Sequence, residues 1–567
     1  MKKTLPFLAS ALVLGLALGM SGCGNNNNDN GSTAAVESGW DVNEQPRDSV
    51  KDGGEFRGSF GSEIETWNLN SSTGNDLEMR MMQSPLFEMW YFEDGDGNHT
   101  VNPEFLDSIK DEEVNGKLVI TMKINDKAVW NDGSPIGYDD WAATVNAMNG
   151  SNDKFEAAST DGYNQIESVT KGATDKDVII TFKEVYPDWV NVIMGASLPG
   201  PMRAESCKDP DTFNDGWADY HSEWYSGPYV VTNFEKSSNT VTMGRNPNWW
   251  GNPGKLDTIT FKYVSDDQKG TAFANGELDW IDIGPSPDMY AQAQTTPGAA
   301  IRQSSGPNYR HFTFNSKSPA LQDVNVRQAI VMGLDRDAIA ASDLAGLPID
   351  TEKVRKNSNL YMQNQDGYVD WAEQTGIKYD PDGAKAKLEA AGYTMGADGY
   401  YAKDGQTLEV KFAVLTGVST SENEGQLAQS QLKNIGVKIT IQPVNTATDW
   451  PGVLVDHNFD IIAFAWMGTA FPLANIGQIF GTGSESNYAQ LSIPGLDDLI
   501  AKSDTDPDPA DRQVTAQTID KMLWENVHTL PLYQRPAIAA AKSNLANIGS
   551  FGIAQIPWTW EDVGFVS

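Results

Sequence analysis

The sequence predicts an α/β protein built from two or more lobes, and three observations carry that reading. Past an N-terminal leader and a polar linker, about 520 of the 567 residues remain, and single hydrophobic cores stop growing near about 250–300 residues. The stretch 226–282 holds three runs with the two-residue alternation of half-buried strands, at 229–234, 240–245 and 258–264. A short helical segment at 267–274, stopped by Asn275-Gly276, and a strand at 278–283 complete it. Finally, a strand at 408–415, a long helix at 424–435 stopped by Gly436 and a strand at 437–442 form a β-α-β unit, which builds a parallel or mixed sheet.

The chain opens with Lys2 and Lys3, an apolar run from Leu5 to Met20, and then Ser21-Gly22-Cys23. A short positive region, an apolar stretch too brief to span a bilayer and small residues at its end describe a signal peptide over 1–22, not a membrane helix. Small residues directly before Cys23 resemble a lipobox, in which the cysteine becomes the lipidated first residue; Met20 stands where that pattern usually has Leu. Residues 23–51 are expected to be this lipidated N-terminus and a flexible tether, because the Asn-, Ser-, Gly- and acid-rich segment buries too little surface to offset its ordering entropy. Such a tether reaches roughly 30 Å. The formal charge is −36, and losing Lys2 and Lys3 with the leader makes it more negative still. A surface this acidic argues against nucleic acid and against adhesion to anionic lipid. With Cys23 lipidated, Cys207 has no partner for an intrachain disulfide.

Between these landmarks the elements follow in order. A strand at 53–61 leads into the loop Glu65-Thr-Trp67-Asn68, and Leu77, Met81 and Leu86 keep helical spacing. Asp94, Asp96 and Asn98 fall on positions one, three and five of a calcium loop, but His99 replaces the required Gly and Phe105 the closing Glu, so a hairpin turn is expected there. An alternating strand at 118–124 precedes Asp132-Gly133, a turn, and Asp139 or Asp140, which cap the helix carrying Trp141, Thr144 and Met148. A strand at 178–182, an apolar helical run at 189–193, a strand at 309–316, a helix at 324–339 and a Pro-started helix at 379–393 follow. A buried strand at 459–466 ends in the loop 467–475, at the kind of strand edge where α/β proteins bind ligands.

Four fragments in sequence, Gly227-Pro228-Tyr229, Arg245-Asn-Pro-Asn-Trp249-Trp-Gly251, Leu256-Asp-Thr-Ile259 and Gly276-Glu-Leu-Asp279, resemble the family 5 extracellular solute-binding proteins, receptors of peptide-type ABC importers. Val129-Trp-Asn-Asp-Gly-Ser-Pro-Ile136, Val326-Arg-Gln-Ala329, Asn487-Tyr488, Arg512 and Leu530-Pro-Leu-Tyr-Gln534 extend the resemblance from Gly53 to about Ile548. It implies a two-lobed periplasmic-binding-protein-like fold of the large class, with a hinge between the lobes: lobe I at 52–315 with an inserted subdomain at about 77–201, lobe II at 316–531, and a return to lobe I at 532–567. It also implies a monomeric receptor that captures oligopeptides and delivers them to membrane permease subunits driven by cytoplasmic ATPases. Relatives also take oligosaccharides, metal chelates or haem, and these solutes are the alternative cargo.

Catalysis finds little footing. The five histidines, His99, His221, His311, His457 and His528, are scattered without HExxH or other metal-ligand spacing, and no G-x-S-x-G elbow or phosphate-loop lysine occurs. A surface glycosidase, whose two carboxylates can lie far apart in sequence, is the remaining enzyme alternative. No catalytic residue, metal or cofactor is assigned. The resemblance places Trp67, Tyr309, Trp466, Thr469, Phe471 and Asn487 on loops or strand ends facing the cleft, with Cys23 as the lipidation site. Peptide-binding relatives usually carry an acid in the 467–475 loop that anchors a peptide amine, and Thr469 and Phe471 occupy that stretch here.

Overall fold

The computed structural model describes residues 39–567 except 196–197, 446–448, 475 and 485. Cys23, the leader and the tether up to residue 38 lie outside the described residues. Lobe I is built on the four-stranded sheet that the alternation at 226–264 anticipates: Glu55–Phe60 runs parallel to Thr258–Tyr263, which continues antiparallel through Thr240–Arg245 to Tyr229–Glu235. Phe56, Phe60, Val241, Met243, Ile259 and Phe261 are fully buried from alternate positions, the consequence of a two-residue side-chain period. Within 77–201 a second antiparallel sheet joins Leu106–Val114, Lys117–Ile124, Asp177–Phe182 and Ile166–Lys171, covered by the helix Tyr138–Met148. That helix is closed at its start by Asp140, whose carboxylate accepts the Gly137 N–H at 2.9 Å.

The lobes meet in one mixed sheet of six strands, in the order Trp280–Asp282, Thr529–Lys542, Ala299–Phe314, Ile461–Met467, Glu409–Thr416 and Lys438–Asn445. Glu409–Thr416 and Lys438–Asn445 pair in parallel around the helix Ser419–Asn434, as the β-α-β pattern requires. The two long strands, Ala299–Phe314 and Thr529–Lys542, are antiparallel partners that cross from one lobe to the other. Their pairing breaks between Ser305 and Tyr309, at Gly306-Pro307. Proline has no N–H to give to the ladder, and a Cβ on Gly306 would stand 2.5 Å from the Arg535 carbonyl oxygen, so the crossing is bent at this point by its own residues.

Two expectations need correction. The tether does not extend to residue 51: Trp40 packs on Trp558 with ring centroids 5.2 Å apart, Asp41 exchanges two backbone bonds with Ser550, Arg47 pairs with Asp562 at 2.6 Å, and Val42 and Val50 are buried. A few apolar residues without a period suffice here because they add to a backbone bridge with the C-terminal segment. The register of the two crossing strands shifts inside them, near 305–309 and 534–536. The helix at 324–339 is two, Val324–Gly333 and Arg336–Asp343, because the Asp335 side chain accepts the Ala338 N–H and starts a new cap. The strand halves 299–308 and 535–542 escape a propensity reading, since one carries Ser-Ser-Gly-Pro and the other is alanine-rich around Pro536.

Candidate ligand-binding cleft

Beyond the bend, the strand Ala299–Phe314 sends Tyr309, His311 and Thr313 to one face and Arg310, Phe312 and Phe314 to the other, where Arg310 grips Glu424 of the helix Ser419–Asn434. Tyr309 pairs in register with Trp466 and His311 with Phe464. On this face the rings form a shelf: Trp466 lies parallel to Tyr488 at 6.0 Å and 11° and to His311 at 6.0 Å and 7°, with Phe464 edge-on at 5.1 Å. Trp466 is half-buried, so one side of the shelf is open. Burial first, then Arg310, His528 and Lys356, hold His311 well below the usual imidazole range, so it is neutral.

Tyr309 is buried beneath this shelf. The Lys356 ammonium stands 4.5 Å from its ring centroid and donates to the Ser358 carbonyl at 2.7 Å and to that of Tyr361. Burial pushes Lys356 down to about 7 against the pull of Asp520. This cation is enclosed by protein and therefore supports the wall instead of meeting a ligand.

Contacts among the described residues join the two lobes. The hairpin Tyr91–Glu93/His99–Val101 lays His99 flat on Phe471, ring centroids 4.7 Å apart at 9°, and Asp96 accepts the Asn364 amide at 3.1 Å. Further along, Arg512 of the helix Pro509–Asn526 clasps Asp188 through both terminal nitrogens, one at 2.8 Å, while its Nε donates to the Ser503 carbonyl. Both partners of this bridge are buried. The lobes are thus drawn together. At the root of the crossing strands the space beside them widens into a hollow of about 210 Å³ lined by Leu77, Met81, Trp280, Asn308, Arg535 and Phe551 among others.

The structure brings Tyr309, Trp466, Thr469 and Phe471 together on one strand pair and the loop that follows it. Thr469 is exposed and its hydroxyl accepts the Phe471 N–H at 3.1 Å, a local turn, so the loop offers no carboxylate at that position. Two candidates fall away. Trp67 is fully buried against Tyr220 and Phe234, with centroids 5.1 and 5.6 Å apart, because its loop folds back under the lobe. Asn487 is spent on its own loop: its amide donates to the Gly481 and Leu491 carbonyls at 2.9 Å, and its oxygen accepts from His528 at 3.0 Å. The hairpin expected at Asp94 is present, with the Asp94 carboxylate accepting the Asp96 and Asn98 N–H groups at 3.0 and 2.9 Å.

Sequence reasoning missed Asp188, Arg80 and Arg535, and assigned Tyr488 and Arg512 no role in the cleft. Arg80, on the helix Leu77–Gln83, makes no side-chain hydrogen bond or ion pair among the described residues and faces Glu93, whose carboxyl burial pushes up to about 7. Tyr488 could have been found from its place beside Asn487 in the family pattern; a lone aspartate or arginine gives no such signal.

The family model described as "Bacterial extracellular solute-binding proteins, family 5 Middle" matches residues 100–488. The chain belongs to this family. Its sequence is 32% identical over 536 residues to "Oligopeptide-binding protein OppA" of Mycobacterium tuberculosis, covering 94% of this chain and 88% of that protein. Among solved structures, "Periplasmic EDTA-binding protein EppA" superposes with a TM-score of 0.82 at 23% identity, covering 96% of this chain and 100% of that one. The oligopeptide-binding protein AppA from Bacillus subtilis, in complex with a nonapeptide, superposes with a TM-score of 0.69 at 20% identity over 91% of this chain and 100% of that one. This family 5 protein therefore has the two-lobed fold of solute-binding proteins, and its place is outside the cytoplasm. No helix among the described residues is long and apolar enough to cross a membrane.

Proposed function

We propose that this family 5 protein is a monomeric, lipid-anchored receptor that captures oligopeptides and delivers them to the permease of an ABC importer. The observation that carries the reading is its likeness, along nearly the whole chain, to a protein named for oligopeptide binding. The half-buried shelf at Trp466 and the three contacts that draw the lobes together support it, since a cleft of this kind holds an extended peptide mainly through its backbone and selects weakly among side chains. Closure is a hinge motion about Gly306-Pro307. The receptor returns its cargo intact.

Mass spectrometry of what co-purifies with residues 39–567 tests the cargo: oligopeptides are expected, and a saccharide, chelate or haem in their place replaces this reading with the alternative solute. Incubation with a peptide library should yield bound peptides of unchanged mass; turnover abolished by a single carboxylate substitution establishes an enzyme instead. Cys23 carries the anchor, so Cys23→Ala should release protein from the membrane fraction, whereas unchanged retention counts against lipidation.

A further inference from the structure

Just past the bend, both crossing strands are fastened to helices of lobe II through a cluster that holds more carboxyl groups than cations. Arg310 and Tyr533 are partners in register on the two antiparallel strands, so their side chains leave the same face of the sheet. The Arg310 guanidinium gives its Nε and one terminal nitrogen to the two oxygens of Glu424, on the helix Ser419–Asn434, at 2.6 Å each. The Tyr533 hydroxyl donates at 3.1 Å to one oxygen of Asp343, the last residue of the helix Arg336–Asp343. The other Asp343 oxygen is buried and has no hydrogen-bond partner among the described residues. Arg310, Tyr533 and Glu424 are buried, and Asp343 is half-buried. One guanidinium thus stands against two carboxyl groups, and Glu424 takes it in bidentate form.

Neighbouring carboxyl groups that share one cation and little water do not both ionise, because the first charge opposes the second. From this arrangement we infer that Asp343 keeps a proton while Glu424 is ionised, and that the neutral Asp343 carboxyl is a proton-dependent clamp between the two helices and both crossing strands. Arg310 decides which group is charged, since its fork is spent on Glu424. A protonated carboxyl has one O–H to give, and the Glu424 carboxylate beside it accepts that bond. The groups facing Asp343 are Glu424 from its helix and Arg310 and Tyr533 from the strands, with Arg535 acting on Tyr533 from further along. Burial first, then Glu424, push the Asp343 carboxyl up to about 8, against the Tyr533 hydroxyl and Arg310. Because the folded-state value lies above the ordinary one near about 4, the contribution of this proton is whole below about pH 4 and is lost as pH rises through about 8. The footing of lobe II on the strands beside the hinge therefore loosens on the alkaline side, whatever the cargo.

The test compares the native protein with Asp343→Asn, which keeps the shape and neutrality of the protonated group and retains both a donor for Glu424 and an acceptor for Tyr533. In urea titrations the unfolding constant of the native protein, relative to that of Asp343→Asn, should rise by about 10- to 100-fold between pH 5 and 7. One proton released on unfolding contributes up to about tenfold per pH unit. Glu93 and Asp282, whose carboxyls are also raised, are present in both proteins and cancel. Infrared difference spectra between pH 6 and 9 should show the C=O stretch of a protonated carboxyl disappearing from the native protein, a component that Asp343→Asn lacks. In Glu424→Gln the opposing charge is gone and Asp343 becomes the counter-ion of Arg310, so this component should be missing there too. Parallel pH curves for the native protein and Asp343→Asn overturn the inference, and so does an infrared component that persists in Glu424→Gln. If Asp343→Asn does not fold, the infrared comparison of the native protein with Glu424→Gln decides: a component lost in the variant supports the clamp, and identical spectra overturn it.

Discussion

Two arginine–carboxylate pairs in this molecule have nearly the same geometry and do different things. Arg310 and Glu424 join a crossing strand to the helix that covers it within lobe II, with both contacts at 2.6 Å and side-chain exposures of 7% and 0%. Arg512 and Asp188 are also bidentate, with exposures of 10% and 9%, but one lies in lobe II and the other in the subdomain of lobe I. The first pair stays dry in any arrangement of the lobes, and burial together with the neighbouring Glu424 holds the Asp343 carboxyl beside it well above the usual carboxylate range. The second joins segments on either side of the proposed hinge, so the hinge motion proposed above would return both groups to water. Identical chemistry therefore supports folding in one place and conformation in the other, and the difference lies wholly in what moves between the partners.

Breaking each pair separately should separate these roles. Replacement of one partner in a permanently buried pair leaves the other charge uncompensated and costs about 3–5 kcal/mol. Arg310→Met should therefore lower the unfolding free energy by about that amount in urea titrations, while affinity of the surviving folded protein for a co-purified ligand changes little; an unchanged midpoint shows that the pair is replaceable. Asp188→Asn should act in the opposite sense. Its effect on unfolding should be small because Arg512 escapes to water when the lobes part, but ligand affinity should fall by about tenfold, close to 1.4 kcal/mol. Small-angle scattering should show a larger radius of gyration at sub-saturating ligand. An equal loss of stability in both variants removes the distinction.

Another lobe contact sharpens the same contrast at lower cost. Phe471→Ala removes the ring stacked on His99, worth about 0.5–1.5 kcal/mol beyond area, so affinity should weaken by about two- to tenfold without a change in unfolding midpoint. Burial lowers the His99 imidazole from its ordinary range, with Asp94 opposing, so this loss should not vary between pH 7.5 and 8.5. The smallest effect concerns the peptide amine. Thr469 and Phe471 put no carboxylate in the 467–475 loop, so acetylating the N-terminus of a co-purified peptide should cost less than about threefold by calorimetry. A larger loss assigns the amine to an acid outside this loop, with Asp456 and Asp460 the first to replace.

Local pattern determined much of this protein by itself. The period-two runs at 229–264, the Gly436 stop between two parallel strands and the turn at Asp94 depend on residues close in sequence, so they could be read without a structure. The shelf was half legible: Trp466 and Tyr309 follow from strands ending at a sheet edge, but Trp67 and Asn487 share the same local description and went inward. Whether an aromatic ring at a strand's end faces solvent depends on how the next loop turns, which is settled by packing against Tyr220 and Phe234 for Trp67 and by the His528 ring for Asn487. Only the tertiary structure could decide the Arg512–Asp188 clasp, because its partners are 324 residues apart and nothing local marks Asp188 as the partner of Arg512. The same holds for Asp343. An aspartate looks alike in sequence whatever faces it, and the Tyr533 hydroxyl and the Glu424 carboxylate reach it only in the folded chain.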